Sequence, residues 1–234
     1  MINTTKKLIS TILLSLVFTI GYAQKVKWEN RTLELINTKH QLVKINGKSV
    51  LKLERDLIAL PFDEKNLESS VDLPTFAKLF DTDIKNGIIE VKMMSKIMEN
   101  SPFKEARGFI GIGFRIDNNN HFEGIYLRPA NSRVEDQLRR NHTVQYFTYP
   151  GYSFSKLRKE AAGVYETYAD IGLSEWIDVK IVFRDKKALL YINNHQHPSF
   201  IVNKLLGNTG SGSIGLWVDV GTVGYFKDLK VKSF

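Results

Sequence analysis

Eleven short segments of this 234-residue chain alternate apolar and polar side chains with a period of two, and helical periodicity is weak throughout. That pattern lets a strand bury one face and turn the other to solvent or to a second layer. The segments are Leu33–Ile36, Gln41–Ile45, Val50–Glu54, Gly87–Met93, Phe109–Ile116, Phe122–Leu127, Thr143–Phe147, Trp176–Phe183, Ala188–Ile192, Ser213–Val218 and Tyr225–Val231. Each is bounded by Gly, Asn, Asp or Pro, the residues that close strands. Asn46-Gly47 sits between two alternations and marks a tight hairpin, because both of its positions accept positive φ. Short helices are expected only at Pro74–Phe80 and Val134–Arg139. The charged stretch Phe154–Tyr168 reads as an excursion packed across one sheet. The fold class is therefore all-β, an antiparallel two-sheet sandwich with few short helices.

The first residues speak to compartment. Lys6 and Lys7 precede the apolar run Leu8–Ile20, and Gly21-Tyr22-Ala23 closes it, which predicts a signal peptide over 1–23 cleaved before Gln24. The run is shorter than the roughly 18 apolar residues of a membrane span, so no stable membrane insertion is expected after its removal. Residues 24–234 read as a single domain, secreted or periplasmic. The chain has no cysteine, so its stability rests on its core and not on disulfides. Loss of Lys6 and Lys7 takes the formal charge from +8 to +6. The remaining lysines are scattered, and Lys227, Lys230 and Lys232 alternate as on a solvated strand, so nucleic acid is not an expected partner.

Two stretches carry a resemblance. Gly212-Ser213-Ile214-Gly215-Leu216-Trp217 through Gly224–Val231 is similar to the closing strand pair of the concanavalin A-like jelly rolls. Trp176–Ile181 followed by Ala188–Asn193 resembles the matching pair in laminin-G-like and bacterial glycan-processing domains. Phe114-Arg115 followed by Phe122-Glu123 resembles the 3-keto-disaccharide hydrolase-like group, which implies a jelly roll engaging carbohydrate. The chain departs from that group at Ile125, where the family strand usually carries a polar residue, and in the longer run Arg128–Tyr168. The laminarinase-type triad of alternating carboxylates is absent, since Glu54 and Asp56 are followed by Leu57, Ile58 and Ala59.

Candidate chemistry concentrates in Gly108–Tyr149. Pairing across the Asp117–His121 turn brings Arg115 and Glu123 together, as a base held ionised or as a structural ion pair. Arg128, Arg139, Arg140, Asn141, Gln145 and Tyr146 are the planar and aromatic groups that grip sugar hydroxyls and ring faces. Glu123 and His142 are the candidate acid or base residues. Glu166 and Asp170 offer further carboxylates. No cofactor is expected, and no metal is assigned. His195-Gln196-His197 lacks a third ligand, and Asp117–Asn120 reads as a turn, with a structural calcium left open there only by the habit of the resembled superfamily. Three functions remain open: a lectin-like carbohydrate-binding protein, a glycoside-cleaving hydrolase or lyase, and an adhesive domain that binds protein. Trp176 and Trp217 are expected in the core.

Overall fold

The computed structural model describes residues 24–234; the expected signal segment lies outside the described residues. Fifteen strands follow in chain order. They are β1 (Lys25–Trp28), β2 (Arg31–Ile36), β3 (Thr38–Ile45), β4 (Lys48–Arg55), β5 (Phe76–Leu79), β6 (Gly87–Ile97), β7 (Ile110–Ile116), β8 (Phe122–Leu127), β9 (Val144–Tyr149), β10 (Glu166–Thr167), β11 (Ile177–Arg184), β12 (Lys187–Ile192), β13 (Phe200–Val202), β14 (Ser213–Val218) and β15 (Thr222–Ser233). Three short helices, α1 (Pro129–Ser132), α2 (Gln137–Asn141) and α3 (Phe154–Glu160), lie between β8 and β10.

The strands form an eight-stranded sheet, β1-β2-β5-β14-β7-β8-β9-β10, and a seven-stranded sheet, β13-β12-β11-β6-β15-β4-β3. Every pairing is antiparallel, and β14 and β15 close the two sheets against strands from the first half of the chain. The main core lies between the sheets, with Ile89, Val91, Ile181, Phe183 and Phe226 from one side and Ile112, Phe114, Ile125 and Leu216 from the other. Trp28 joins this core.

The two sheets bury themselves differently. β11 of the seven-stranded sheet alternates cleanly, with Ile177, Val179, Ile181 and Phe183 buried and Asp178, Lys180 and Val182 outside. In the eight-stranded sheet, β7, β8 and β14 are buried at every position. On the outer face of this sheet Phe122 and Tyr126 of β8 and Trp217 of β14 join Phe76 of β5 and Phe147 of β9 in a second, aromatic cluster. Glycines make room for these rings, which pack largely edge to face: a Cβ on Gly124 would stand 2.3 Å from the ring of Phe147, and one on Gly215 3.0 Å from that of Phe76. A sheet covered on both faces implies a further layer. That layer is built from residues 56–75, 98–109, 128–143 and 150–165, knitted by a small cluster of Val71, Phe103, Ala106 and Val220 with Leu67, Phe109 and Phe154 packed against it.

Several expectations need correction. Pro74–Phe80 is not helical but holds β5, a central strand: Phe76 faces the aromatic cluster while Ala77 and Leu79 face the inter-sheet core, so burial on both faces erases the period of two. The expected helix Val134–Arg139 starts later, as α2, where the Asp136 carboxylate accepts from the Arg139 amide. α3 was not expected, although Ser153 caps it in the usual way. Trp217 is buried, but in the outer aromatic cluster. Trp176 is only half-buried, with the Lys227 ammonium 3.7 Å above its ring. Among the described residues no helix is long and apolar enough to cross a membrane.

Candidate functional site

The added layer over the eight-stranded sheet encloses a pocket of about 280 Å³. Its position follows from a buried polar spine. Arg55, at the end of β4, pairs with Asp219 at 2.9 Å, and both side chains are almost wholly excluded from solvent. The Arg55 guanidinium also donates to the carbonyls of Leu60, Pro61 and Ser70, which pins the 56–72 excursion over the sheet. Asp219 accepts the Asp72 amide at 3.0 Å, and the Asp72 carboxylate in turn accepts the Phe154 amide at 2.6 Å at the start of α3. Asp72 holds a left-handed φ of 57°, which turns its carboxyl into the pocket. Burial, with the charge of Asp219 adding to it, pushes the Asp72 carboxyl up to about 7.

The pocket floor is Tyr126 of β8, and its walls include Phe103, Phe109 and Phe154. Arg128, only 4% exposed, lies 4.8 Å from the Tyr126 ring and 5.1 Å from that of Phe154. It donates to the Tyr126 hydroxyl, to Gln145 Oε1 and to the His142 carbonyl, all neutral acceptors. The Arg158 guanidinium also lies over Phe154, at 5.0 Å. His142 enters from the end of α2, with Nδ1 2.6 Å from Glu166 Oε2, an oxygen that also accepts from Arg158 Nε at 2.9 Å. Burial and the nearby Arg158 charge hold the His142 imidazole below its usual range, with Glu166 pulling the other way. The pocket thus combines flat apolar rings with convergent guanidinium, imidazole and carboxyl groups.

Of the residues singled out from sequence, Arg128, Arg139 and His142 line this pocket. Gln145 lies directly beneath, fully buried, and bridges Arg128 to the carbonyls of Tyr146 and Tyr165. Arg140 stands outside it, stacked at 4.8 Å on Tyr168 and donating to that hydroxyl at 3.0 Å. Asn141 is exposed and accepts from Gln137.

Glu123 and Tyr146 face the other way. The register that pairs Glu123 with Phe114 points both into the inter-sheet core, and neither Glu123 nor Tyr146 is exposed at all. The Tyr146 hydroxyl donates to Glu123, and the amides of Leu206 and Gly207 donate to Tyr146 and Glu123 respectively, tethering the loop before β14. Burial raises the Glu123 carboxyl above its usual range, against the Tyr146 bond and the Arg115 charge. Glu123 is thereby a structural acid with both oxygens engaged, and the sheet itself separates it from His142. Arg115 sits at a register shift with φ 53° and gives its guanidinium to the carbonyls of Lys85 and Asp185 and to Asn86, not to Glu123. Phe154 was expected to extend the aromatic supply; Asp72, Phe109 and Arg158 were not singled out as site residues, because their convergence depends on separate segments crossing one sheet.

His195 and His197 are exposed in the turn after β12. The Asp117 carboxylate accepts the amides of Asn119 and His121, a side-chain-closed turn. Among the described residues no group of three metal-ligating side chains comes together. Asp170 pairs with Arg133 at 2.8 Å at the surface.

No family model matches the chain, and no curated protein matches it in sequence. Solved structures do. The carbohydrate-binding module CBM66 from Bacillus subtilis superposes with a TM-score of 0.50 at 10% identity, covering 85% of this chain and 97% of the module. A human galectin-16 variant gives 0.38 at 11% identity over 70% of this chain and 98% of that one. A GH43 protein from Bacillus licheniformis gives 0.39 at 12%, over 71% of this chain and 34% of its own. The sheet topology, with the match to the module, defines the architecture as an antiparallel jelly-roll sandwich.

Proposed function

We propose that this protein is an exported, lectin-like glycan-binding jelly roll whose binding site is the pocket over the eight-stranded sheet. The observation that carries the reading is the convergence there of aromatic rings (Phe103, Phe109, Tyr126, Phe154) with Arg128, Arg139 and His142. Rings offer stacking surface for the C–H face of a sugar, and guanidinium groups offer fixed donors for its oxygens. The fold shared with a carbohydrate-binding module supports the same reading. The pocket volume of about 280 Å³ lies just below the roughly 300–1,000 Å³ of small-molecule sites, which favours a chain end or a short saccharide over the middle of a polymer.

The larger hollows fit less well. The outer face of the seven-stranded sheet carries Lys48, Lys92, Lys180 and Lys230 interleaved with Glu90, Asp178 and Asp228, a solvated face on which three of the four lysines are already paired. A glycan array probed with the purified protein tests the reading: retention on a defined set of saccharides, lost in Arg128→Ala and Phe154→Ala variants that still fold, is expected. Retention unaffected by either change would place the site elsewhere, and no retention would favour a protein partner.

A second reading, glycoside cleavage, is favoured by one arrangement: His142 oriented by Glu166 lines the same pocket as Asp72, an acid poised near neutrality. Release of product from a retained saccharide, abolished by His142→Gln or Asp72→Asn with binding intact, would establish it; retention without release would leave the protein a binder.

A further inference from the structure

Arg128 and Arg139 present two positive charges to the pocket without a carboxylate to match them. Among the described residues, neither guanidinium has an acidic side chain within ion-pair distance, whereas the other two arginines of the pocket are paired, Arg107 with Glu105 and Arg158 with Glu166. Arg128 is buried and bonded only to neutral oxygens. Arg139 is half-buried, its guanidinium makes no hydrogen bond within the described chain, and its Nε is closed off from solvent without a partner. Asn131 Oδ1, on the same wall, is likewise buried and unpartnered.

Removing a guanidinium from water without an anion or a full set of acceptors costs several kcal/mol by general experience. Natural structures leave such groups unmatched chiefly where a ligand completes them. Asp219 is already taken by Arg55, so it offers no remedy. Asp72 is the nearest internal counter-charge, but it makes no ion pair with either guanidinium, and one of its oxygens accepts the Phe154 amide.

We infer that the saccharide bound here carries an anionic oxygen group, a uronate carboxylate or a sulfate ester, seated between Arg128 and Arg139 with the sugar ring against Phe109 and Phe154. This rests on the glycan-binding reading above and adds the chemical class of the ligand. A guanidinium presents paired donors that match two oxygens of either group, so both sources share one recognition chemistry. The neutral donor Asn131 Nδ2 is held by the His142 carbonyl, which leaves its Oδ1 to accept from a sugar hydroxyl.

The test is calorimetric titration with matched oligosaccharides: an oligogalacturonide, the same oligosaccharide reduced at its carboxyls to neutral sugar, and a sulfated galactose disaccharide that carries no carboxylate. Each is titrated into wild type and into Arg139→Gln, chosen because that guanidinium holds nothing in the fold and the variant should melt with the wild type. Binding of an acidic probe that is at least tenfold tighter than the neutral one, that weakens with salt, and that drops about tenfold or more in Arg139→Gln supports the inference. Which acidic probe binds identifies carboxylate or sulfate as the source. Equal binding of the neutral oligosaccharide, or acidic binding indifferent to Arg139→Gln, overturns the anionic seat while leaving glycan binding in place. Failure of all three probes, together with binding of other, neutral glycans on an array, also overturns the anionic seat; silence on the array overturns both readings.

Discussion

Asp72→Asn isolates the electrostatic strain on which the pocket is built. In the folded protein the Asp72 carboxyl is pushed from its ordinary 3.8 up to about 7, first by burial and then by the charge of Asp219. A carboxyl whose folded value lies above its unfolded one binds its proton more tightly when folded. Its contribution is fully favourable below the unfolded value and is lost as pH rises through the folded one. At about 1.4 kcal/mol per unit, the shift amounts to about 4 kcal/mol by pH 8, of which about 2.5 kcal/mol is lost between pH 5 and pH 8. Asparagine keeps an oxygen to accept the Phe154 amide but never ionises.

Whatever fixed offset the asparagine brings, the gap between the two proteins should therefore move in the variant's favour by about 2.5 kcal/mol from pH 5 to pH 8. Glu123 and Asp219, also raised by burial, give a background slope shared by both proteins. Urea unfolding at half-unit steps from pH 5 to 8, followed by tryptophan fluorescence, reads the difference between the two curves. If the wild type and Asp72→Asn run parallel across that range, Asp72 is not a strained acid and the electrostatics assigned to the pocket fail with it.

Three further outcomes are expected. Gly124→Ala forces the Phe147 ring off the sheet and should cost about 1–3 kcal/mol in urea unfolding, with no change at saturating pH control; a neutral result would mean that the aromatic layer is loosely packed. Arg55→Met breaks the pair with Asp219 and frees the 56–72 excursion, at about 3–5 kcal/mol, and limited proteolysis should then cut within that excursion first. The affinity for an acidic saccharide should rise on the order of tenfold as pH falls from 8 to 6, because protonating Asp72 removes a negative charge that faces the incoming anion alongside Arg128, Tyr126, Asp219 and His142; titrations at those two pH values in wild type and Asp72→Asn check it, and an equal rise in the variant would assign the effect to another group.

The sandwich was readable in the sequence because strands such as β11 carry a period of two and short apolar runs such as Phe122–Leu127 are bounded by turn residues. Phe122–Leu127 and Ser213–Val218 match the observed strands residue for residue, and the hairpin at Asn46-Gly47 joins β3 to β4. Reading failed at β5, where the segment Pro74–Phe80 does not alternate, and at β10 and β13, which are too short to show alternation. The site was half legible. Arg128, Arg139 and His142 carry local chemical character, and a polar loop after a strand pair marked them. Asp72 carries none, for it matters only through its contact with the Phe154 amide, 82 residues further along the chain. Glu123 misled for a physical reason: an acid one residue from a glycine in an aromatic strand looks exposed, while the register turns it inward against Tyr146. Sequence spacing gives the face of a strand only once the register is known.

The most direct measurement is amide chemical-shift mapping of the isotope-labelled protein with a saccharide that the array retains. The account predicts saturable shifts clustered at Asp72, Phe109, Arg128, Arg139 and Phe154, the residues that meet over the eight-stranded sheet. Shifts confined instead to Lys92, Asp178 and Lys180 on the opposite sheet, or to Tyr149, Tyr152 and Asn208 at the end of the sandwich, would contradict it.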